Sequence, residues 1–285
     1  MRPGLEIRTS RRPSGPGTET VADSLAMATS YPVKGVHVSI PRSFFRAAGS
    51  MPDSSKAKLL HDGYMPNTET ALTVAMGDTK VSGIHVRPEK SFATLVVAHG
   101  AGAGKEHPFL QGFAEAMAEE GVSTLRFNFP YREAGRRFPD RPPAAIATWR
   151  AVMEKAAELA GDEPLWAGGK SFGGRMASMA VAEGMPAGGL VYLGYPLHAP
   201  GKPEKLRDEH LYGITVPMLF LQGTRDTFAT PELLESVVAR IGPTATLQWS
   251  ENADHSFVVK GLKRSAAEIG ASLAPAVAGF MRENS

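Results

Sequence analysis

The 285-residue chain contains no cysteine. That absence excludes disulfides, thiolate metal sites and cysteine nucleophiles together, and it fits a reducing compartment. No apolar run approaches the roughly 18 residues that a membrane-crossing helix needs. The first 30 residues also lack the apolar h-region of a secretory signal, so a cytoplasmic location is expected. Net charge is small: 31 Lys and Arg against 29 Asp and Glu leave +2. No strong electrostatic case therefore exists for nucleic acid or for an acidic membrane surface. None of the eight histidines forms an H-x-x-x-H or H-E-x-x-H pair. Neither a metal nor a cofactor is expected.

The charge that is present is uneven. Residues 1–60 carry nine Lys and Arg against four acids, a net +5, which leaves −3 for the remainder. The stretch Arg11-Arg12-Pro13-Ser14-Gly15-Pro16-Gly17 cannot bury apolar surface or hold a regular ladder, so nothing offsets its conformational entropy. Residues 1–65 are expected to be a disordered basic arm, with a folded domain over 66–285. A basic tail, a transit peptide, or a leader upstream of a start at Met51 or Met65 would each fit this composition.

From residue 70 onward the pattern is regular. Ala71–Ala75 and Val81–Val86 flank Met76-Gly77-Asp78 and read as a hairpin. Thr94–Ala98 is a short continuous apolar run, as in a strand buried on both faces. Further strands are expected at Ser123–Phe127, Pro164–Ala167, Gly189–Leu193, Met218–Leu221 and Ala245–Trp249. Helical stripes lie between them: Phe109, Phe113 and Met117; Ile146, Trp149, Val152 and Met153; Met176, Met179 and Ala180; Leu234, Val237 and Val238. One terminal helix is expected through Leu262, Ile269, Leu273, Val277 and Phe280. Strands alternating with helices imply an α/β fold with a mostly parallel sheet covered on both faces. Ligands in such folds sit beyond the carboxyl ends of the strands.

Three segments fall at those ends. Gly169-Lys170-Ser171-Phe172-Gly173 matches G-x-S-x-G between a strand and a helix, the context in which a serine hydroxyl is lifted above a sheet as a nucleophile. Ser178 reads as an ordinary residue of that helix. Asp226 lies just past the strand ending near Leu221, and His255 lies in the loop after the last strand. His255 would take the proton of Ser171 as general base, and Asp226 would fix its tautomer. Asp254, adjacent to His255, is a poor partner; Glu204 and Asp208 are the fallback acids. His99-Gly100-Ala101-Gly102-Ala103-Gly104 follows the buried strand. Its backbone N–H groups could serve an oxyanion, with Phe172 as one donor and Ala101 or Gly102 as the other. A dinucleotide reading of this loop fails, because position 105 is Lys and no acid ends the next strand. His99 reads as a hydrogen-bonding loop residue.

The same residues carry a resemblance. His99-Gly100-Ala101-Gly102, Phe127–Arg132, Gly168–Arg175, Gly194-Tyr195-Pro196-Leu197-His198, Gly223-Thr224-Arg225-Asp226 and Asp254-His255-Ser256-Phe257 resemble the KANL/Tex-type α/β-hydrolase-like family, a relative of the dienelactone-hydrolase-like serine hydrolases. The resemblance covers residues 70–283. It implies the α/β-hydrolase fold and a hydrolase site on Ser171, Asp226 and His255, and it names no substrate. Some relatives act within larger assemblies, so a non-catalytic binding or scaffold protein is the alternative to an esterase; a serine peptidase is a third reading.

The segment between Leu197 and Pro217 is too short for a large helical cap. An open site for a small soluble substrate follows. Arg132, Arg137, Lys170 and His198 are expected on the substrate side, where cations would steer an anionic substrate.

Overall fold

The computed structural model describes residues 67–285, so the arm expected over 1–65 lies outside the described residues. In chain order the elements are β1 (Thr68–Met76), β2 (Thr79–Arg87), β3 (Ala93–Ala98), α1 (Pro108–Glu119), β4 (Val122–Phe127), α2 (Pro130–Glu133), α3 (Pro142–Ala160), β5 (Leu165–Lys170), α4 (Phe172–Ala182) and β6 (Leu190–Leu193). A 3-10 turn (Glu209–Gly213), β7 (Met218–Gly223), α5 (Pro231–Ile241), β8 (Ala245–Ser250), α6 (Ala266–Ala271) and α7 (Ala274–Glu283) complete the fold. The strands form one eight-stranded sheet in the order β1-β2-β4-β3-β5-β6-β7-β8. β1, β2 and β4 pair antiparallel, and every later pairing is parallel.

Alternation along β3 shows why the sheet is covered twice. Val96 and Ala98 face a core with Trp149, Val152 and Met176 from α3 and α4. Ala93, Leu95 and Val97 face a second core with Phe113, Ile269 and Val277 from α1, α6 and α7. A strand buried on both faces has no use for polar alternation, hence the apolar run. Trp149 and Phe113 are fully buried, and removing such a side chain from water contributes about 1.5–3 kcal/mol.

Two boundaries differ from those read in the sequence. β5 continues through Gly168, Gly169 and Lys170, which pair with Val191, Tyr192 and Leu193 of β6. Glycine usually weakens a strand. Here it is required, because a Cβ on Gly168 would lie 2.4 Å from the Val191 carbonyl oxygen. The expected single terminal helix is two helices. Ser265 starts α6 with a reciprocal capping box to Glu268, leaving Leu262 in the preceding loop, 59% exposed. Pro275 supplies no N–H and so cannot join the ladder of α6; it sits instead in the first turn of α7. No helix among the described residues is long and apolar enough to cross a membrane.

Candidate active site

Ser171 links β5 to α4 with φ +50° and ψ −114°. A side chain in the left-handed half of backbone space costs on the order of 1–3 kcal/mol. The turn is held by close packing: a Cβ on either Gly169 or Gly173 would approach the Ala98 carbonyl oxygen to 2.5 Å. Glycines at both sites let β3, the turn and α4 meet, and the serine is driven into its strained geometry above the sheet.

Three loops converge there. The Ser171 hydroxyl lies 2.8 Å from His255 Nε2, and His255 Nδ1 lies 2.6 Å from Asp226 Oδ2. With a carboxylate on one side, Nδ1 carries the proton and Nε2 is free to accept from the hydroxyl. Asp226 is only 4% exposed, and it does not rest on His255 alone. The Gln222 amide donates to the same oxygen at 2.6 Å, and the Phe228 backbone N–H donates to Oδ1 at 2.8 Å. His255 stacks on the Phe228 ring at 4.2 Å between centroids. Burial pulls its pKa below the ordinary histidine value, against the raising effect of the hydrogen bond to Asp226; the Lys170 charge also lowers it.

The loop carrying His255 is shaped by Asp254, whose Oδ1 accepts from the Ser256 and Val258 N–H groups at 2.8 and 3.0 Å. Asp254 therefore organises the turn and does not face the imidazole's Nδ1. Phe257, at φ +61°, anchors the turn in the second core by stacking on Phe109 at 6.1 Å.

At the end of β3 the Ala103 N–H donates to the Gly100 carbonyl at 3.2 Å, closing a turn with Gly102 at φ +77°. Ala101 is exposed, and no acceptor among the described residues takes its N–H or that of Phe172. His99 is fully buried, with Nδ1 on the Gly100 carbonyl at 2.8 Å and Nε2 accepting from the Phe129 N–H at 3.3 Å. Burial drives its pKa down to about 4, so it is a neutral brace between the ends of β3 and β4. Ser178 is likewise away from the triad, bonded to the Arg175 carbonyl and to His210.

A cleft of about 450 Å³ opens beside the Gly100–Ala103 turn, lined by Ala101, Gly102, Ala103, His107, Arg137, Phe138 and Pro139, and not by Ser171, Asp226 or His255. Of the four residues expected on the substrate side, Arg137 alone lines it. Arg132 packs near Gly104 and donates to the Arg136 carbonyl at 3.4 Å. His198 is 2% exposed and its Nδ1 is bonded to the Ala199 carbonyl at 2.9 Å, so its ring is turned inward. Lys170 directs its ammonium to the His255 carbonyl at 2.6 Å. Three of the four side chains thus hydrogen-bond neighbouring backbone carbonyls. Among the described residues no group of three or more His, Asp or Glu is arranged to hold a metal.

Sequence reading missed Gln222 and Phe228. Gln222 ends a buried strand and is itself fully buried, bridging the Tyr195 N–H and Asp226. A polar amide at the end of an apolar strand run was its only signal.

A serine at a strained turn after β5, an acid after β7 and a histidine after β8 are the arrangement of the α/β-hydrolase class of protein. The chain belongs to the alpha/beta hydrolase domain family, which matches residues 91–282. Among solved structures, it resembles dienelactone hydrolase from Anabaena variabilis, with 19% identity and TM-score 0.61 over 76% of this chain and 98% of that one. It also resembles a lidless α/β serine hydrolase from Xanthomonas campestris, with 21% identity and TM-score 0.61 over 77% and 96%. A cold-adapted esterase from an Arctic intertidal metagenomic library matches at 18% identity and TM-score 0.55 over 74% and 93%. At these identities the likeness is one of fold.

Proposed function

We propose that the protein is a serine hydrolase that cleaves a small soluble carboxylic ester through an acyl-enzyme on Ser171. The observation that carries this reading is the unbroken chain from Asp226 through His255 to Ser171. In the first half-reaction Ser171 Oγ attacks the ester carbonyl carbon while its proton passes to His255 Nε2. The oxygen that becomes negative is received by the Phe172 and Ala101 N–H groups. Collapse of the tetrahedral species breaks the bond to the alcohol, which leaves with the proton from His255. Water then repeats the sequence on the acyl group. Asp226, held by three donors, stabilises the transient imidazolium.

Arg137 at the cleft supports a preference for esters bearing an anionic group. The matched stretches around Ser171, Asp226 and His255 support the narrower KANL/Tex-type assignment. A cytoplasmic location rests on the cysteine-free composition.

The test is labelling with a fluorophosphonate probe, followed by a panel of esters differing in chain length and charge. Wild type should label and turn over short esters. Ser171→Ala should lose both, with turnover down by about 10³-fold or more, while its circular dichroism stays unchanged. Equal labelling of the variant would move the nucleophile elsewhere. No labelling and no turnover in wild type would favour a non-catalytic scaffold on this fold.

A further inference from the structure

Lys170 sits one residue before Ser171, at the end of β5, paired with Leu193. A lysine at such a strand end normally reaches solvent, because its ammonium is strongly hydrated. This one does not. Its Cγ passes 3.6 Å from the position that a Cβ on Gly100 would take, and its Nζ would stand 3.1 Å from a Cβ on Gly194. Gly194 is in the left-handed region at φ +75°, and any side chain there would also crowd the His255 carbonyl oxygen and Nδ1, at 3.3 and 3.5 Å. The side chain therefore passes the Gly100 backbone in ordinary contact and ends in a space that Gly194 leaves open. At its end Nζ donates to the His255 carbonyl at 2.6 Å and lies 5.8 Å from the centre of the Phe257 ring.

We propose that Lys170 is a positioning residue that ties the nucleophile turn to the loop of the general base, fixing His255 by its own backbone carbonyl and keeping a positive charge beside the imidazole. This rests on the hydrolase reading above. The neighbouring geometry makes the tie consequential. The loop it grips contains two residues with positive φ, Asn252 and Phe257, a conformation that needs outside support. The charged groups acting on His255 are Asp226, Asp254 and Lys170, and Lys170 is the one cation among them. Burial pushes the Lys170 ammonium down to about 8, opposed by Asp226 and Asp254, so it stays largely charged at neutral pH.

The experiment compares wild type, Lys170→Met and Lys170→Arg in the full chain. In Lys170→Met, kcat on a neutral activated ester should fall about tenfold, the effect of one buried hydrogen bond, with KM little changed. The acidic limb of its pH profile should move upward by about half a unit or more, because a cation that disfavours the imidazolium is gone. Lys170→Arg, which keeps charge and donors, should recover part of kcat and return the limb toward the wild-type position. A second measurement is independent of turnover. NMR titration of His255 in Ser171→Ala, with and without Lys170→Met, should show the same upward shift. An active wild type whose kcat, limb and His255 titration are all unmoved by Lys170→Met would overturn the inference. So would a variant that alters only KM, and only for anionic esters, since that would make Lys170 a substrate contact. Loss of wild-type labelling would instead strike at the hydrolase reading, and the NMR shift would still judge the tie between Lys170 and His255.

Discussion

At the level of single residues, strain and polarity are concentrated where the three loops meet. Ser171 is held at φ +50° between glycines where a Cβ would meet backbone at 2.5 Å, and those glycines make the strained serine turn legible in the sequence. Asp226 and His255 were legible because each lies just past a strand end in the order that follows such a serine. Gln222 was not legible: its role depends on a tertiary contact with Tyr195 and Asp226 that no local pattern encodes. The directions of Lys170 and His198, both expected on the substrate side, are not legible for a related reason. Sequence gives a side chain's place in the chain and not its direction, and both turn to backbone carbonyls. The environment of His255 sets the pH response. Burial outweighs the hydrogen bond to Asp226 and lowers its pKa, and in the proposed mechanism the neutral imidazole is the form that accepts the proton. Turnover should therefore rise with pH through one ionisation lying below the ordinary histidine value of about 6.5. The profile of kcat/KM on a neutral activated ester reads that ionisation in the free enzyme, and a limb centred above 6.5 would contradict the dominance of burial.

At the level of elements, the site depends on how closely β7 approaches the loop after β8. Gly223 ends β7 directly beneath that loop, where a Cβ would lie 2.3 Å from the Ala253 carbonyl oxygen and 2.7 Å from that of Asp254. Backbone cannot yield there as a flexible side chain would, so Gly223→Ala must lift the loop and carry His255 with it. A displacement near 1 Å would lower kcat by about a hundredfold, with Ser171 itself undisturbed on β5. Steady-state kinetics and the rate of fluorophosphonate labelling should fall together, and unchanged values in a folded variant would mean that the contact is slack. Periodicity located every long element, since apolar stripes and runs survive into the cores. It misjudged the ends of β5 and of the terminal helix. In β5, glycines serve packing against β6; in the last segment, Pro275 divides a stripe whose apolar spacing continues across the break.

Across the whole molecule, the strand order brings the ends of β3, β5, β7 and β8 to one edge of the sheet, and the segment between β6 and β7 adds only the 3-10 turn Glu209–Gly213. Among the described residues, that segment places no helical cap over Ser171. In the proposed acyl-enzyme, the carbonyl on that serine would be open to whichever hydroxyl compound meets it, and water would have no privileged route. Short alcohols should compete with water for the acyl group and yield a new ester in proportion to their concentration. Product analysis of an activated ester in dilute methanol would detect it as a methyl ester, and exclusive release of free acid would mean that something shields the acyl group after all. Under the proposed mechanism, a protein built this way would select what arrives at the serine more strictly than what carries the acyl group away.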